Sequence, residues 1–161
     1  MITKYRHYNQ TKKTKKTIEE IEQILMKIDM DNLKISKKKS KYLSEVFKSY
    51  FKGKGDVAEV ESEVEFIDGK KDCIDVELRL NEIRIIIEID NLRADQVIKK
   101  VLSRTAAFSQ SNFIYITFCY DSKSAKGHKS ECLKYIDTHL NNYFKVFSYI
   151  EYIAFVPTKH I

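Results

Sequence analysis

Long apolar runs are missing from this chain of 161 residues. No stretch approaches the roughly 18 to 20 uninterrupted apolar residues that a membrane-spanning helix needs, and the N-terminus is polar rather than signal-like. The expectation is a soluble, cytoplasmic protein with no membrane partner. Cysteine is sparse: Cys73, Cys119 and Cys132 are odd in number and far apart. They lack the paired spacing of zinc sites and redox motifs, which leaves reduced core or surface thiols. The four glycines form no phosphate-cradling loop, Pro157 is the only proline, and no internal repeat is present. His7, His128, His139 and His160 are scattered without metal or triad spacing and read as surface histidines.

What is there suffices for one core. With 43% hydrophobic and 12% aromatic residues, the chain has the apolar mass of a single compact domain. Its net charge of +6 favours polyanionic partners such as nucleic acid. Residues 1–16 are polar and basic and lack an apolar period, so they are expected to form a flexible basic arm, leaving 17–161 as the domain.

Periodicity supplies the elements. Thr17 and Glu20 have capping-box spacing ahead of Ile18, Ile21, Leu25 and Ile28, which predicts a helix over about 17–29. The basic run Lys37, Lys38, Lys39 and Lys41 leads into a second amphipathic helix through Leu43, Phe47 and Phe51. Alternation from Glu59 to Phe66, the turn signal Asp68-Gly69 and the turn at Asn81-Glu82 predict a meander of three strands, the last two near 72–80 and 83–90. Helices near 94–108 and 127–144 and strands near 112–119 and 146–156 complete an α/β chain with a mixed central sheet flanked by helices. The tyrosines Tyr115, Tyr120, Tyr135, Tyr143, Tyr149 and Tyr152 have core or interface spacing.

The anomaly is acidic. Glu88 and Asp90 end the apolar run Ile85–Ile89, and unpaired charges in a buried strand cost several kcal/mol each. Strand alternation puts Asp75 and Glu77 on one face of the second meander strand and Glu88 and Asp90 on one face of the third. In a suitable register Asp75 and Glu88 converge, and two carboxylates with a backbone carbonyl suit a hard octahedral cation such as Mg²⁺. The competing readings are plain ones. Asp75 and Glu77 fit a solvated meander face, Glu88 and Asp90 fit salt bridges to Arg79, Arg84 or Arg93, and Lys100 fits a solvated helix flank.

Asp75 followed thirteen residues later by Glu88-Ile89-Asp90, with a helix and strand behind, resembles the PD-(D/E)XK nuclease superfamily. The likeness covers about residues 40–120. It implies a restriction-endonuclease-like αβββαβ core and a Mg²⁺-dependent endodeoxyribonuclease, with Mn²⁺ as a substitute cofactor. Asp75 and Glu88 then correspond to the metal-binding acids, while Asp90 stands where the motif has lysine, and Ile74 stands for the motif proline. An acid cannot replace an ammonium, so the pattern asks for a second metal on Asp90, a lysine from elsewhere, or lost activity. Lys100 is the candidate for the relocated catalytic lysine, with Arg93, Gln96 and Arg104 on the same flank as nucleic-acid contacts. Lys37, Lys38 and Lys39 are candidates for gripping the backbone of DNA, RNA being the alternative, and Glu45 is a candidate accessory carboxylate. A homodimer is expected, since cutting a duplex takes two sites, with Tyr149–Val156 offering an interface or else a buried final strand. The rival function is a catalytically inactive nucleic-acid-binding module.

Overall fold

A computed structural model describes residues 1–35, 38–52, 59–65, 71–80, 82–107, 113–120 and 129–158, with 34, 35, 59–65, 71, 72, 107 and 129 as backbone only. The order is β1 (Ile2–Tyr8), α1 (Lys15–Met26), α2 (Met30–Ile35), α3 (Lys39–Tyr50), β2 (Glu59–Glu65), β3 (Lys71–Leu80), β4 (Ile83–Asp90), α4 (Ala94–Ala107), β5 (Phe113–Cys119), α5 (Lys129–Tyr135), α6 (Asn141–Val146) and β6 (Ile150–Pro157), with a π-helical turn at Ile136–Leu140. The strands form one six-stranded sheet in the order β1-β6-β5-β4-β3-β2. Its centre, β4, β5 and β6, is parallel, and both margins are antiparallel.

Burial explains that division. Every residue of β5 and β6 is buried, as strands covered by helices on both faces must be. One face carries Ile85, Ile87, Ile114, Ile116 and Phe155 under α1, α2 and α3. The other carries Ile86, Tyr115, Tyr152 and Val156 under α4, α5 and α6. The closing strand is thus interior, flanked by β1 and β5, and Tyr149–Val156 supplies core rather than an interface.

Several sequence expectations need correcting. Ile2–Tyr8 is no flexible arm but an edge strand paired antiparallel with β6. Its polar residues are matched one by one: Lys4 with Glu22, Arg6 with Asp137, and His7 with Glu151 at 2.7 Å. His7 is therefore tucked against the sheet, not on the surface. Thr17 does not cap α1; the first helical bond runs from the Ile18 amide to the Thr14 carbonyl, and Thr17 is buried a turn inside. The short helix α2 was not anticipated, although Asp29 caps it by accepting from the amides of Asp31 and Asn32 at 3.0 and 3.2 Å. The Asp68-Gly69 turn lies outside the described residues, and the antiparallel β2–β3 pairing it implied is present. Among the described residues no helix is long and apolar enough to cross a membrane.

Candidate functional site

The site forms where β3 and β4 part. Their ladder runs from Leu80 opposite Ile83 to Val76 opposite Ile87. At Asp75, the next residue of β3, a side chain takes over, and Oδ2 accepts the Ile89 amide at 2.9 Å. Asp75 is thereby held level with Glu88. Alternation along β4 turns Glu88 and Asp90 to the face under α4, where their side chains are 1% and 2% exposed.

Two cations descend from α4. Lys100 Nζ lies 2.9 Å from Asp75 Oδ2, 2.9 Å from Glu88 Oε2, 3.2 Å from Asp90 Oδ1 and 3.4 Å from the Ile89 carbonyl oxygen. Arg104, one turn on, donates from Nε to Glu88 Oε1 at 2.9 Å and from Nη2 to the Cys73 carbonyl at 2.7 Å. Three carboxylates therefore meet two cations, which leaves one negative charge in excess when all three are ionised. The cluster is closed on the Glu88 side and opens to solvent beside Asp75 and Lys100, whose side chains are 30% and 25% exposed.

Electrostatics follow from that enclosure. Burial, with the charge of Asp75 adding to it, pushes the Glu88 carboxyl up to about 7 despite Lys100 and Arg104. Burial also raises Asp90, against the pull of Lys100. For Lys100 burial alone would lower the pKa, but attraction to Asp90, Glu88 and Asp75 outweighs it and raises the ammonium above its usual range. Among the described residues, Asp90 Oδ2 and the Tyr115 hydroxyl are buried with no hydrogen-bond partner, while Glu88 Oε2 faces the Lys100 ammonium at 2.9 Å. An orphaned buried polar group costs about 1–3 kcal/mol, so two of them beside the same acidic strand end are costly to keep.

Asp75, Glu88, Asp90 and Lys100 are thus brought together. Arg104 is not a surface phosphate contact: it is buried, with Glu88 and the Cys73 carbonyl taking its hydrogen bonds. Arg93 is exposed and pairs with Asp95 at 2.7 Å, away from Glu88 and Asp90. Gln96 is exposed one turn before Lys100, and Leu102 of the same helix points to solvent. Lys37 lies outside the described residues, Lys38 is exposed, and Lys39 Nζ stands 5.1 Å above the Tyr120 ring. Glu45 is not delivered to the site; it pairs with Lys41 and lines a groove between α1 and α3, on the other face of the sheet. Glu77 is no solvated acid but is buried, accepting from Arg84 at 3.1 Å and Arg79 at 3.2 Å.

Spacing reads Tyr115 and Tyr120 as core or interface residues and does not place them beside the acidic cluster. Tyr120 follows β5, its amide donates to the Asp90 carbonyl at 2.8 Å, and with Lys39 it forms the rim. Only the parallel β4–β5 register, Glu88 beside Thr117 and Asp90 beside Cys119, brings them there. A groove of about 840 Å³ between α4 and α5 is lined by Asn91, Arg93 and Glu131 among others, and none of the four converging side chains lines it.

The donor set suits a hard cation. Three carboxylates and a main-chain carbonyl converge on one point, and oxygen ligands of this kind hold Mg²⁺. That point is filled by the Lys100 ammonium, and among the described residues no three His, Cys, Asp or Glu side chains stand ready to hold a metal ion. No protein-family model matches the chain, and neither the curated proteins nor the solved structures contain a match to it.

Proposed function

We propose that the protein is a Mg²⁺-dependent endodeoxyribonuclease that hydrolyses phosphodiester bonds in DNA through Asp75, Glu88, Asp90 and Lys100. The observation that carries this reading is the convergence of three carboxylates and the Ile89 carbonyl on a single cationic point at the C-terminal end of β4, open to solvent beside Asp75 and Lys100. Support comes also from the element order α3-β2-β3-β4-α4-β5, which is the αβββαβ order of a restriction-endonuclease-like core.

Asp75, Glu88 and the Ile89 carbonyl would hold the metal, with Asp90 as the third carboxylate. When bound, such an ion supplies Lewis acidity and a more acidic water. The chain's own residues do the rest. Arg104 fixes the Glu88 carboxylate from the buried side, so its remaining oxygen keeps one direction. Lys100 enters from the helix and supplies the ammonium that the strand lacks at Asp90. A phosphate approaching the open side meets Lys100 first, and Lys39 with Tyr120 offers a cation and an aromatic face at the rim. Lys38, Arg93 and Gln96, all exposed, are available to the nucleic-acid backbone, and a homodimer would bring two such sites to a duplex.

The rival is a nucleic-acid-binding module without turnover, and one observation favours it: Lys100 already neutralises the carboxylates that a metal would need. Incubation with supercoiled plasmid and Mg²⁺ or Mn²⁺ decides between them. Cleavage is expected from the wild type and a loss of at least roughly a hundredfold from Asp75→Ala and Glu88→Ala. Cleavage indifferent to both substitutions sinks the site, and DNA binding without cleavage under any divalent ion favours the module.

A further inference from the structure

The two cations of the site are held differently. Arg104 is locked: its side chain is 6% exposed, and two of its nitrogens are committed to Glu88 Oε1 and the Cys73 carbonyl. Lys100 is not. Its head group lies on the open side, a quarter exposed, on a flexible four-carbon stem that can swing into solvent. Its three carboxylate contacts and its contact with the Ile89 carbonyl all fall on one small cation. A compact ammonium and a divalent ion need the same oxygens, and those oxygens cannot serve both at full strength.

We infer that Lys100 is a built-in counter-cation, which a divalent ion displaces from Asp75, Glu88 and Asp90, so that the lysine sets the metal affinity of the site. The inference rests on the metal-dependent reading above and adds a regulation to it. In the metal-free protein Lys100 neutralises the carboxylates and holds the β3–β4 fork together. In the metal-bound protein the ammonium is freed toward the open side, where a phosphate approaches. The lysine thereby couples metal entry to the arrival of positive charge at the substrate.

The consequence runs against the usual effect of removing a residue from a site. Lys100→Met eliminates the competing charge while keeping an unbranched stem, and should tighten Mn²⁺ binding by at least roughly tenfold, the smallest effect expected for coupled charges this close. Lys100→Arg keeps the charge and should give no such gain. The readout is calorimetric titration of the full chain with Mn²⁺ and no nucleic acid, for wild type, Lys100→Met, Lys100→Arg and Asp75→Ala. Should Lys100→Met fold poorly without metal, thermal melts with and without Mn²⁺ take over. A larger Mn²⁺-induced stabilisation of Lys100→Met than of wild type supports the inference, and none overturns it. Equal Mn²⁺ affinity in wild type and Lys100→Met overturns the inference while leaving the metal-dependent reading intact. No Mn²⁺ binding in any variant overturns both.

Discussion

Replacing Arg104 by methionine tests how the acidic strand end is balanced. Methionine keeps much of the stem but removes the donors that serve Glu88 Oε1 at 2.9 Å and the Cys73 carbonyl at 2.7 Å. With Glu88 ionised, the change breaks a buried ion pair and should cost about 3–5 kcal/mol. With Glu88 protonated, no charge is stranded, and the orphaned hydrogen-bonding groups account for about 1–3 kcal/mol. Wild-type Glu88 passes between the two forms at about 7. The loss on substitution should therefore be greater at about pH 8 than at about pH 5.5. The sign follows from the same group. Its folded pKa, about 7, lies above the ordinary 4.5, so between these values the folded protein holds a proton that the unfolded chain has lost. Its contribution to stability falls as pH rises through that window and is level above it. Loss of Arg104 raises the folded pKa further and carries the decline to higher pH. Urea denaturation followed by circular dichroism, with a chelator present, measures both effects, and Glu88→Gln combined with Arg104→Met should recover part of the loss at the higher pH. Equal losses at the two pH values, or a loss under about 1 kcal/mol at the higher one, would refute the reasoning.

Two further outcomes are expected. Deleting residues 1–8 removes the partner of β6 along with the Lys4–Glu22, Arg6–Asp137 and His7–Glu151 pairs, and should cost at least about 3 kcal/mol in urea unfolding; an unchanged midpoint would mean that β1 contributes nothing. Glu82 is exposed in the β3–β4 turn at φ 64°, a conformation glycine adopts without strain, so Glu82→Gly should raise the melting point by the equivalent of up to about 1 kcal/mol, and a lowered one contradicts this.

The strands and the acidic cluster were legible because their signals are local. β4 was delimited at 83–90 because Ile85, Ile86 and Ile87 are buried whichever face they take, and Asp75 and Glu88 share a face once alternation is joined to the register that sets Val76 opposite Ile87. Lys100 was legible from helical spacing behind β4. β1 was not, because Lys4, Arg6 and His7 look solvated until Glu22, Asp137 and Glu151 arrive from distant parts of the chain. Arg104 was misjudged for the same reason. Nothing in its flank of α4 states that the β3–β4 pairing ends at Val76 and that the Cys73 carbonyl beyond it accepts a guanidinium. The rim at Tyr120 depends on a parallel register, which turn residues do not set.

All the converging charges, Asp75 to Arg104, come from one hairpin and the helix that follows it. Contacts so close in sequence close short loops, so their assembly takes little chain entropy. The clasp of β1 on β6 is the costlier closure, joining residues 2–8 to 152–157. The converging charges and the terminal clasp thus lie in separate stretches of the polypeptide. Loosening of the clasp is expected to part residues 2–8 from 152–157 before it disturbs the short closures that hold Asp75, Glu88, Asp90, Lys100 and Arg104 together.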